Sequence, residues 1–60
     1  MLPVERQSVI LSRLSESDSL RTGDLASALE VTDETIRKDF EALEKRGELL
    51  RIHGGAVKPA

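Results

Sequence analysis

The apolar residues of the chain fall into three helix-spaced groups followed by two short extended runs. Pro3 suits the first position of a helix, because the N–H group that proline lacks has no helical partner there. From Val4 to about Leu14, apolar side chains recur with Ile10 and Leu14 four residues apart, which predicts a short amphipathic helix. The polar residues 15–19 are expected to form the loop that leaves it.

A second, shorter helix is predicted after a brief extended stretch at residues 20–22. Thr22 is expected to cap this helix by accepting a hydrogen bond from its backbone, and Asp24 suits the positive end of the helix dipole. The apolar residues of the helix are small enough for close packing: Leu25, Ala26, Ala28 and Leu29.

The third helix has the clearest periodicity. Its apolar residues recur at i, i+4 and i+7 and are expected to face the core: Ile36, Phe40 and Leu43. The connection before it, residues 30–32, is short, and Thr32 is expected to cap the helix. Gly47 follows Lys45 and Arg46 and is expected to end the helix in a left-handed conformation.

The end of the chain predicts a β-hairpin. Residues 49–53 are typical of a strand, Gly54 and Gly55 of a turn, and residues 56–58 of the returning strand. Within the first strand, Ile52 is expected to face the core, while Arg51 and His53 point outward.

Three short helices and a glycine-tipped hairpin predict a mainly α fold with a small β-hairpin, the winged helix-turn-helix, over residues 1–58. The three-residue connection at 30–32 has the length of a helix-turn-helix joint, and residues 20–22 would supply a third strand. The alternative is a plain helix-turn-helix with a disordered tail after Gly47. Strand-forming residues on both sides of Gly54 and Gly55 favour the wing.

The composition excludes several classes of protein. Sixty residues make one small domain, and without cysteine there is neither a disulfide framework nor a thiolate metal site. His53 alone cannot build a zinc site, and no nucleophile–base pair is evident, so we expect no enzyme, metal or cofactor. No apolar run approaches the roughly 18 residues of a membrane span, and the first residues do not resemble a signal peptide. We expect a soluble cytoplasmic domain.

The charge balance opposes nucleic-acid binding, since nine Lys and Arg face 11 Asp and Glu, a net charge of −2, where such binders are usually basic. Its distribution is uneven: residues 49–60 contain Arg51 and Lys58 and no acid. An alternative function is therefore a winged-helix protein-interaction module that does not bind DNA.

The start of the third helix carries the candidate base-reading residues. The first residues of a recognition helix meet base edges in the major groove. There Thr35, Arg37 and Lys38 can contact bases or phosphates, and Glu34 can accept from a cytosine amine or complement the helix dipole. The alternative interpretation is that this mixed-charge face of the helix is ordinary solvated surface, as most such faces are. Glu41 and Glu44 would repel phosphate and are expected to point away from it.

Asp39 lies beside the apolar stripe of the same helix. We expect a partly buried carboxylate that pairs with an arginine or caps another element, since no partner for chemistry accompanies it. Arg6 is a candidate partner and, equally, a candidate phosphate ligand.

The hairpin carries the second group of candidate contacts. Arg51 is expected to contact phosphate, and the glycines at positions 54 and 55 allow close approach of the backbone to DNA. For His53, a surface or packing role and a DNA contact remain alternatives.

Three motifs carry a family resemblance: Arg6-x3-Ile10-x3-Leu14, then after 17 residues Thr32-x2-Thr35-Ile36-Arg37-Lys38-Asp39-Phe40, and finally Arg51-x-His53-Gly54-Gly55-Ala56. From about Glu5 to Val57 the chain resembles the DeoR family of bacterial transcription regulators. It departs mildly, with Thr32 and Phe40 where serine and leucine are more usual.

The resemblance implies an operator-binding domain, usually of a repressor of sugar, nucleoside or related carbon metabolism. It implies DNA contacts from Thr32, Thr35, Arg37 and Lys38, and a wing formed by Arg51, His53, Gly54 and Gly55. It also implies a C-terminal domain, absent here, that binds a sugar-phosphate-type effector and makes the full protein a homo-oligomer. Residues 59–60 would begin the linker, and the isolated domain would be monomeric.

Overall fold

A computed structural model describes all 60 residues and confirms three helices with a small antiparallel sheet, a winged helix-turn-helix. The elements are α1 (Pro3–Ser17), β1 (Ser19–Arg21), α2 (Thr22–Leu29), α3 (Asp33–Lys45), β2 (Leu50–Ile52) and β3 (Gly55–Val57). No helix is long and apolar enough to cross a lipid bilayer.

The first helix is longer than its apolar pattern predicts. The expected exit loop from Ser15 is wrong, since α1 continues to Ser17. The hydroxyls of Ser15 and Ser17 donate to carbonyls one turn back, at 2.7 and 2.9 Å, so these polar side chains are accommodated on the exposed face of the helix. The helix ends at Asp18, which adopts the left-handed conformation with φ 65° and donates its N–H to the Leu14 carbonyl.

The expected side-chain cap on α2 is also wrong. Arg21 holds the capping position without a side-chain hydrogen bond, and Thr22 is the first residue of the helix and buried. The Thr22 N–H donates instead to the carbonyl of Gly54, at 2.9 Å. A backbone group of the hairpin therefore satisfies the first amide of α2 and fixes the hairpin to that helix.

The joint between α2 and α3 is the short connection that the sequence predicts. Glu30 ends α2 in the left-handed conformation with φ 58°, and the Val31 N–H donates to the Ala26 carbonyl at 3.0 Å. The Thr32 hydroxyl accepts from the Thr35 N–H at 3.2 Å, which confirms the predicted cap. At its other end, α3 is followed by Gly47 with φ 75°, also as predicted.

The sheet has the strand order β1-β3-β2, with every pair antiparallel. The hairpin turn consists of His53 and Gly54, one residue earlier than predicted, and Gly55 belongs to β3. Gly54 has φ 82°, so the positive-φ position of the turn coincides with a residue that tolerates it.

The core contains nine buried apolar residues, drawn from all three helices and the sheet: Ile10, Leu14, Leu25, Ala26, Ile36, Phe40, Leu43, Leu49 and Ala56. The helical members were predicted, but Ala28, which was grouped with the packing residues of α2, is exposed. The expected burial of Ile52 is also wrong, because its side chain is 50% exposed. Leu49, just before β2, and Ala56 of β3 fill the core instead. The sheet register explains this, because Ile52 pairs with Gly55 on the face opposite Ala56.

One buried ion pair joins α1 to α3. The Arg6 guanidinium donates twice to the Asp39 carboxylate, and the Gln7 amide donates to the same carboxylate at 3.3 Å. The exposed fractions of the two charged side chains are only 12% and 4%, and the hydrogen bond to Asp39 raises the pKa of Arg6. The predicted pairing of Asp39 with an arginine is confirmed, and it holds α3 at a fixed position on α1.

Candidate nucleic-acid interface

One end of the molecule gathers the start of α2, the first half of α3 and the hairpin turn. Because β1 and β3 are antiparallel, Arg21 at the end of β1 lies opposite Gly55 at the start of β3. The bond from Thr22 to Gly54 holds the turn there. A cleft of about 430 Å³ separates this turn from α3 and is lined on the helix side by Asp33, Arg37 and Phe40.

Arg37 and Lys38 lie exposed in the first half of α3. Neither side chain forms an ion pair, although four other basic residues do: Arg6, Arg46, Arg51 and Lys58. Their charges are therefore not neutralised by a neighbouring carboxylate. Both side chains are available for a ligand that is anionic or rich in hydrogen-bond acceptors.

The two threonines at the start of α3 are bonded to each other. Their hydroxyls lie 3.0 Å apart, and Thr32 is exposed whereas Thr35 is half-buried. Thr32 thus acts first as the cap of the helix, and each hydroxyl keeps the capacity for at least one further hydrogen bond. Glu34 is exposed in the first turn and unpaired, where its charge complements the helix dipole.

Arg51 does not point away from the domain as the strand alternation predicts. It pairs with the buried Ala56 in the sheet register, so its side chain lies on the face toward α3. Its guanidinium lies 3.5 Å from a Glu41 carboxylate oxygen and 3.8 Å from one of Glu44, and its backbone N–H donates to Glu44 at 2.9 Å. The two acids expected to repel phosphate are thus engaged by this arginine.

The remaining predicted wing residues divide into two roles. His53 and Gly54 form the exposed tip of the hairpin. Gly55 is buried, and a Cβ atom at this position would lie 1.9 Å from the Leu20 carbonyl oxygen. The need for glycine at position 55 therefore comes from the close approach of β3 to β1.

Sequence reasoning missed Arg21 as a member of this end of the molecule. Arg21 is exposed, forms no ion pair, and lies across the sheet from the hairpin residues Gly55 and Ile52. The signal that would have found it is the pairing of residues 19–21 with the returning strand, since this pairing brings the end of β1 to the hairpin tip.

Comparison with known proteins gives a consistent result. Residues 6–60 match the family of DeoR-like helix-turn-helix domains. The chain is 47% identical over 57 residues to the uncharacterised HTH-type transcriptional regulator YulB of Bacillus subtilis, covering 95% of the chain and 22% of YulB. It is 44% identical over 57 residues to the HTH-type transcriptional regulator GlpR of Haloferax volcanii, with the same two coverages.

A third relative is the lactose phosphotransferase system repressor of Staphylococcus aureus, 38% identical over 52 residues that cover 87% of the chain and 21% of the repressor. The chain spans about a fifth of the length of these relatives. No solved structure matches it. The family match extends over nearly the whole chain and includes the capped α3 and the hairpin, so the chain belongs to the DeoR-like helix-turn-helix family, the DNA-binding domains of transcriptional regulators.

Proposed function

We propose that this domain binds the operator DNA of a repressor that controls genes of sugar or related carbon metabolism. The family supports DNA as the partner, and the name of the lactose phosphotransferase system repressor supports repression and a sugar-related target. In this mechanism α3 enters the major groove, and the hairpin tip lies on the neighbouring backbone or minor groove.

One observation carries the proposal: Arg37 and Lys38 are exposed and unpaired in the first half of α3, directly after a capped joint. Arg37 borders the cleft opposite the hairpin tip, so one duplex would meet the helix and the tip together. The guanidinium of Arg37 suits guanine or phosphate, and Lys38 acts as a point charge toward phosphate.

The other site residues take supporting roles in this proposal. Thr32, Glu34 and Thr35 lie at the start of α3, within reach of base edges or phosphates, and His53 and Gly54 present the tip. Arg51 and Gly55 chiefly shape the wing. Arg51 does so by pairing with carboxylates of α3, and Gly55 by allowing the close approach of β3 to β1. The proposal involves no catalytic step and no cofactor.

The whole protein would add functions that this chain does not carry. We assign residues 1–58 to the DNA-binding domain and residues 59–60 to the start of a linker. The greater length of the relatives supports a further domain. In this proposal that domain would bind a sugar-phosphate-type effector and form a homo-oligomer. Two linked domains would raise the effective concentration at paired half-sites, whereas the isolated domain is a monomer. Such a regulator acts in the cytoplasm, on the nucleoid when it is bound.

The test is an amide NMR titration of the 60-residue chain with a short generic duplex at low and high salt. Non-specific binding of such domains has a Kd of roughly 10⁻⁴–10⁻⁶ M and weakens with salt. We expect shifts centred on residues 32–38 and 51–55 that vanish at high salt. A folded chain whose spectrum ignores the duplex at low salt would reject the proposal.

Variants make the assignment of α3 specific. Arg37→Ala and Lys38→Ala should each lower the affinity roughly tenfold near 0.1 M salt, the effect of losing one phosphate contact. Lys45→Ala is the matched control, because Lys45 is also exposed and unpaired but lies at the other end of α3. Equal losses for all three variants would show a general charge effect and contradict the assigned orientation.

The acidic net charge of −2 favours a second candidate function, that of a winged-helix module that binds protein. Phosphate contacts release counterions, so the affinity for DNA falls steeply as salt rises. A domain that ignores DNA but binds a protein partner with little dependence on salt would support this candidate.

A further inference from the structure

The three-stranded sheet presents two chemically different faces. On the inner face, Leu20, Ala56 and Arg51 lie in one row across the strands, toward the helices. On the outer face, Arg21, Gly55 and Ile52 form the row nearest the hairpin tip. The sequence pattern predicts that the side chain of Arg51 lies on the outer face of the hairpin. In the structure it lies on the inner face, and the exposed cation on the outer face is Arg21.

The surroundings of Arg21 leave its charge free. Its side chain is exposed and forms no ion pair, whereas that of Arg51 is held by Glu41 and Glu44. Arg21 lines a second cleft of about 550 Å³, together with His53 and Gly54 of the tip. Asp24 also lines this cleft, but it lies in the first turn of α2, where the helix dipole stabilises its charge.

The hairpin tip is therefore a ridge between two clefts, and each cleft contains one unpaired arginine. Arg37 lines the cleft beside α3. Arg21 lines the other cleft and ends β1, the edge strand of the sheet opposite to β2, which contacts α3. His53 and Gly54 line both clefts. If α3 lies in the major groove and the tip beside the backbone, as proposed above, the same duplex would pass the tip within reach of Arg21.

We propose that Arg21 is a further DNA contact, which binds a backbone phosphate on the side of the hairpin tip remote from α3. A guanidinium matches the oxygen pair of a phosphodiester in a two-point contact. Phosphate contacts position a protein without reading sequence, so Arg21 would extend the footprint beyond the bases that α3 reads. This inference rests on the DNA-binding function proposed above.

The test measures the affinity of the 60-residue chain for a fluorescent duplex by anisotropy at several salt concentrations. Loss of one phosphate contact makes the negative slope of log K against log salt shallower by about 0.9 and lowers the affinity roughly tenfold near 0.1 M salt. We expect Arg21→Ala to show both changes, to the same extent on duplexes of different sequence. Arg21→Lys should keep most of the slope, since it retains the charge.

Arg13→Ala is the matched control, because Arg13 is also exposed and unpaired but lies on α1. A parental slope for Arg21→Ala, or the same loss for Arg13→Ala, would overturn the inference. The far-UV circular dichroism spectrum of each variant checks that it is folded. If Arg21→Ala unfolds, Arg21→Gln takes its place, because glutamine keeps the aliphatic part of the side chain without the charge.

The same experiment separates this inference from the function on which it rests. If Arg37→Ala weakens binding and Arg21→Ala does not, only the role of Arg21 fails. If the parent chain binds no duplex at low salt, the DNA-binding function itself fails and the role of Arg21 fails with it.

Discussion

At the scale of single residues, two positions other than glycine adopt left-handed backbone, and both end a helix. Asp18 ends α1 with φ 65° and Glu30 ends α2 with φ 58°. Aspartate tolerates this conformation better than most residues because its short polar side chain can bond locally. The Asp18 carboxylate also pairs with Lys58 at 2.7 Å, and the hydrogen bond from Lys58 lowers its pKa. Glu30 is unpaired and bears the conformational cost without such a contact.

Replacing Glu30 with glycine should therefore stabilise the domain. The left-handed conformation costs a residue with a Cβ atom about 1–2 kcal/mol, and glycine removes this cost. Glycine also loses more conformational freedom on folding, which offsets part of the gain. We expect Glu30→Gly to raise the free energy of unfolding by about 0.5–1 kcal/mol in urea denaturation.

Ala28→Gly is the control for that prediction, because Ala28 is exposed in the same helix with ordinary helical backbone. It should lower the free energy of unfolding by about 1 kcal/mol. Changes of the same sign in both variants would show that the conformation at Glu30 is not under strain.

At the scale of elements, the position of the hairpin depends on contacts that a sequence pattern does not display. The tip is tied to α2 through the Thr22 amide, and β2 is tied to α3 through Arg51. Between them, β3 approaches β1 so closely at Gly55 that no Cβ atom fits. The shape of the wing is therefore decided by its two neighbours, and the turn itself contributes only the positive φ of Gly54.

Gly55→Ala should separate β3 from β1. Its Cβ atom would lie 1.9 Å from the backbone oxygen of Leu20, and backbone cannot rotate away as a side chain can. Overpacking of this kind costs typically about 1–3 kcal/mol, and we expect a loss in that range by thermal or urea denaturation. Hydrogen exchange should also quicken at residues 55–57 and 19–21.

Gly23→Ala is the matched control, since no atom lies within 4 Å of a Cβ atom at that position in the first turn of α2. Alanine should be neutral there or raise the stability by up to about 1 kcal/mol. Equal behaviour of the two variants would mean that the close contact at Gly55 relaxes without cost.

At the scale of the whole molecule, stability rests on a small core and one buried ion pair. Domains of this size bury only about 60% of the surface of the unfolded chain and are marginally stable. Arg6 and Asp39 join the first helix to the third across 33 positions of the sequence. Removal of one partner leaves the other charge buried and uncompensated, which costs far more than the pair contributes.

Asp39→Ala is expected to lower the free energy of unfolding by about 3 kcal/mol, because it leaves the Arg6 guanidinium without a counter-charge. Arg6→Ala in the same background should add little, since the charge that was left unpaired is then removed. Urea denaturation of the parent, both single variants and the double variant gives the coupling energy. Additive losses would contradict the coupling inferred from the geometry.

Much of this arrangement could be predicted from local pattern. The spacing of Ile36, Phe40 and Leu43, the cap at Thr32 and the stop at Gly47 all involve residues close in sequence, so local chemistry determines them. For Asp39 the sequence indicated a structural carboxylate, since no partner for chemistry accompanies it, but it left open whether the side chain pairs with an arginine or caps another element. The DNA contacts of Thr35, Arg37 and Lys38 stay predictions that the proposed titration tests.

The sequence by itself determined the order of the elements, the helical faces, the joint and the family. Only the tertiary structure decided which side chains lie on each face of the hairpin. Ile52 is exposed, and Arg51 pairs with Glu41 and Glu44. Arg21 lies beside the hairpin tip. The physical reason is that a three-residue strand has two possible phases, and a shift of one residue exchanges its faces. The choice is made by partners distant in sequence, which pair Ala56 with Leu20 inside and leave Arg21 and Ile52 exposed on the opposite face.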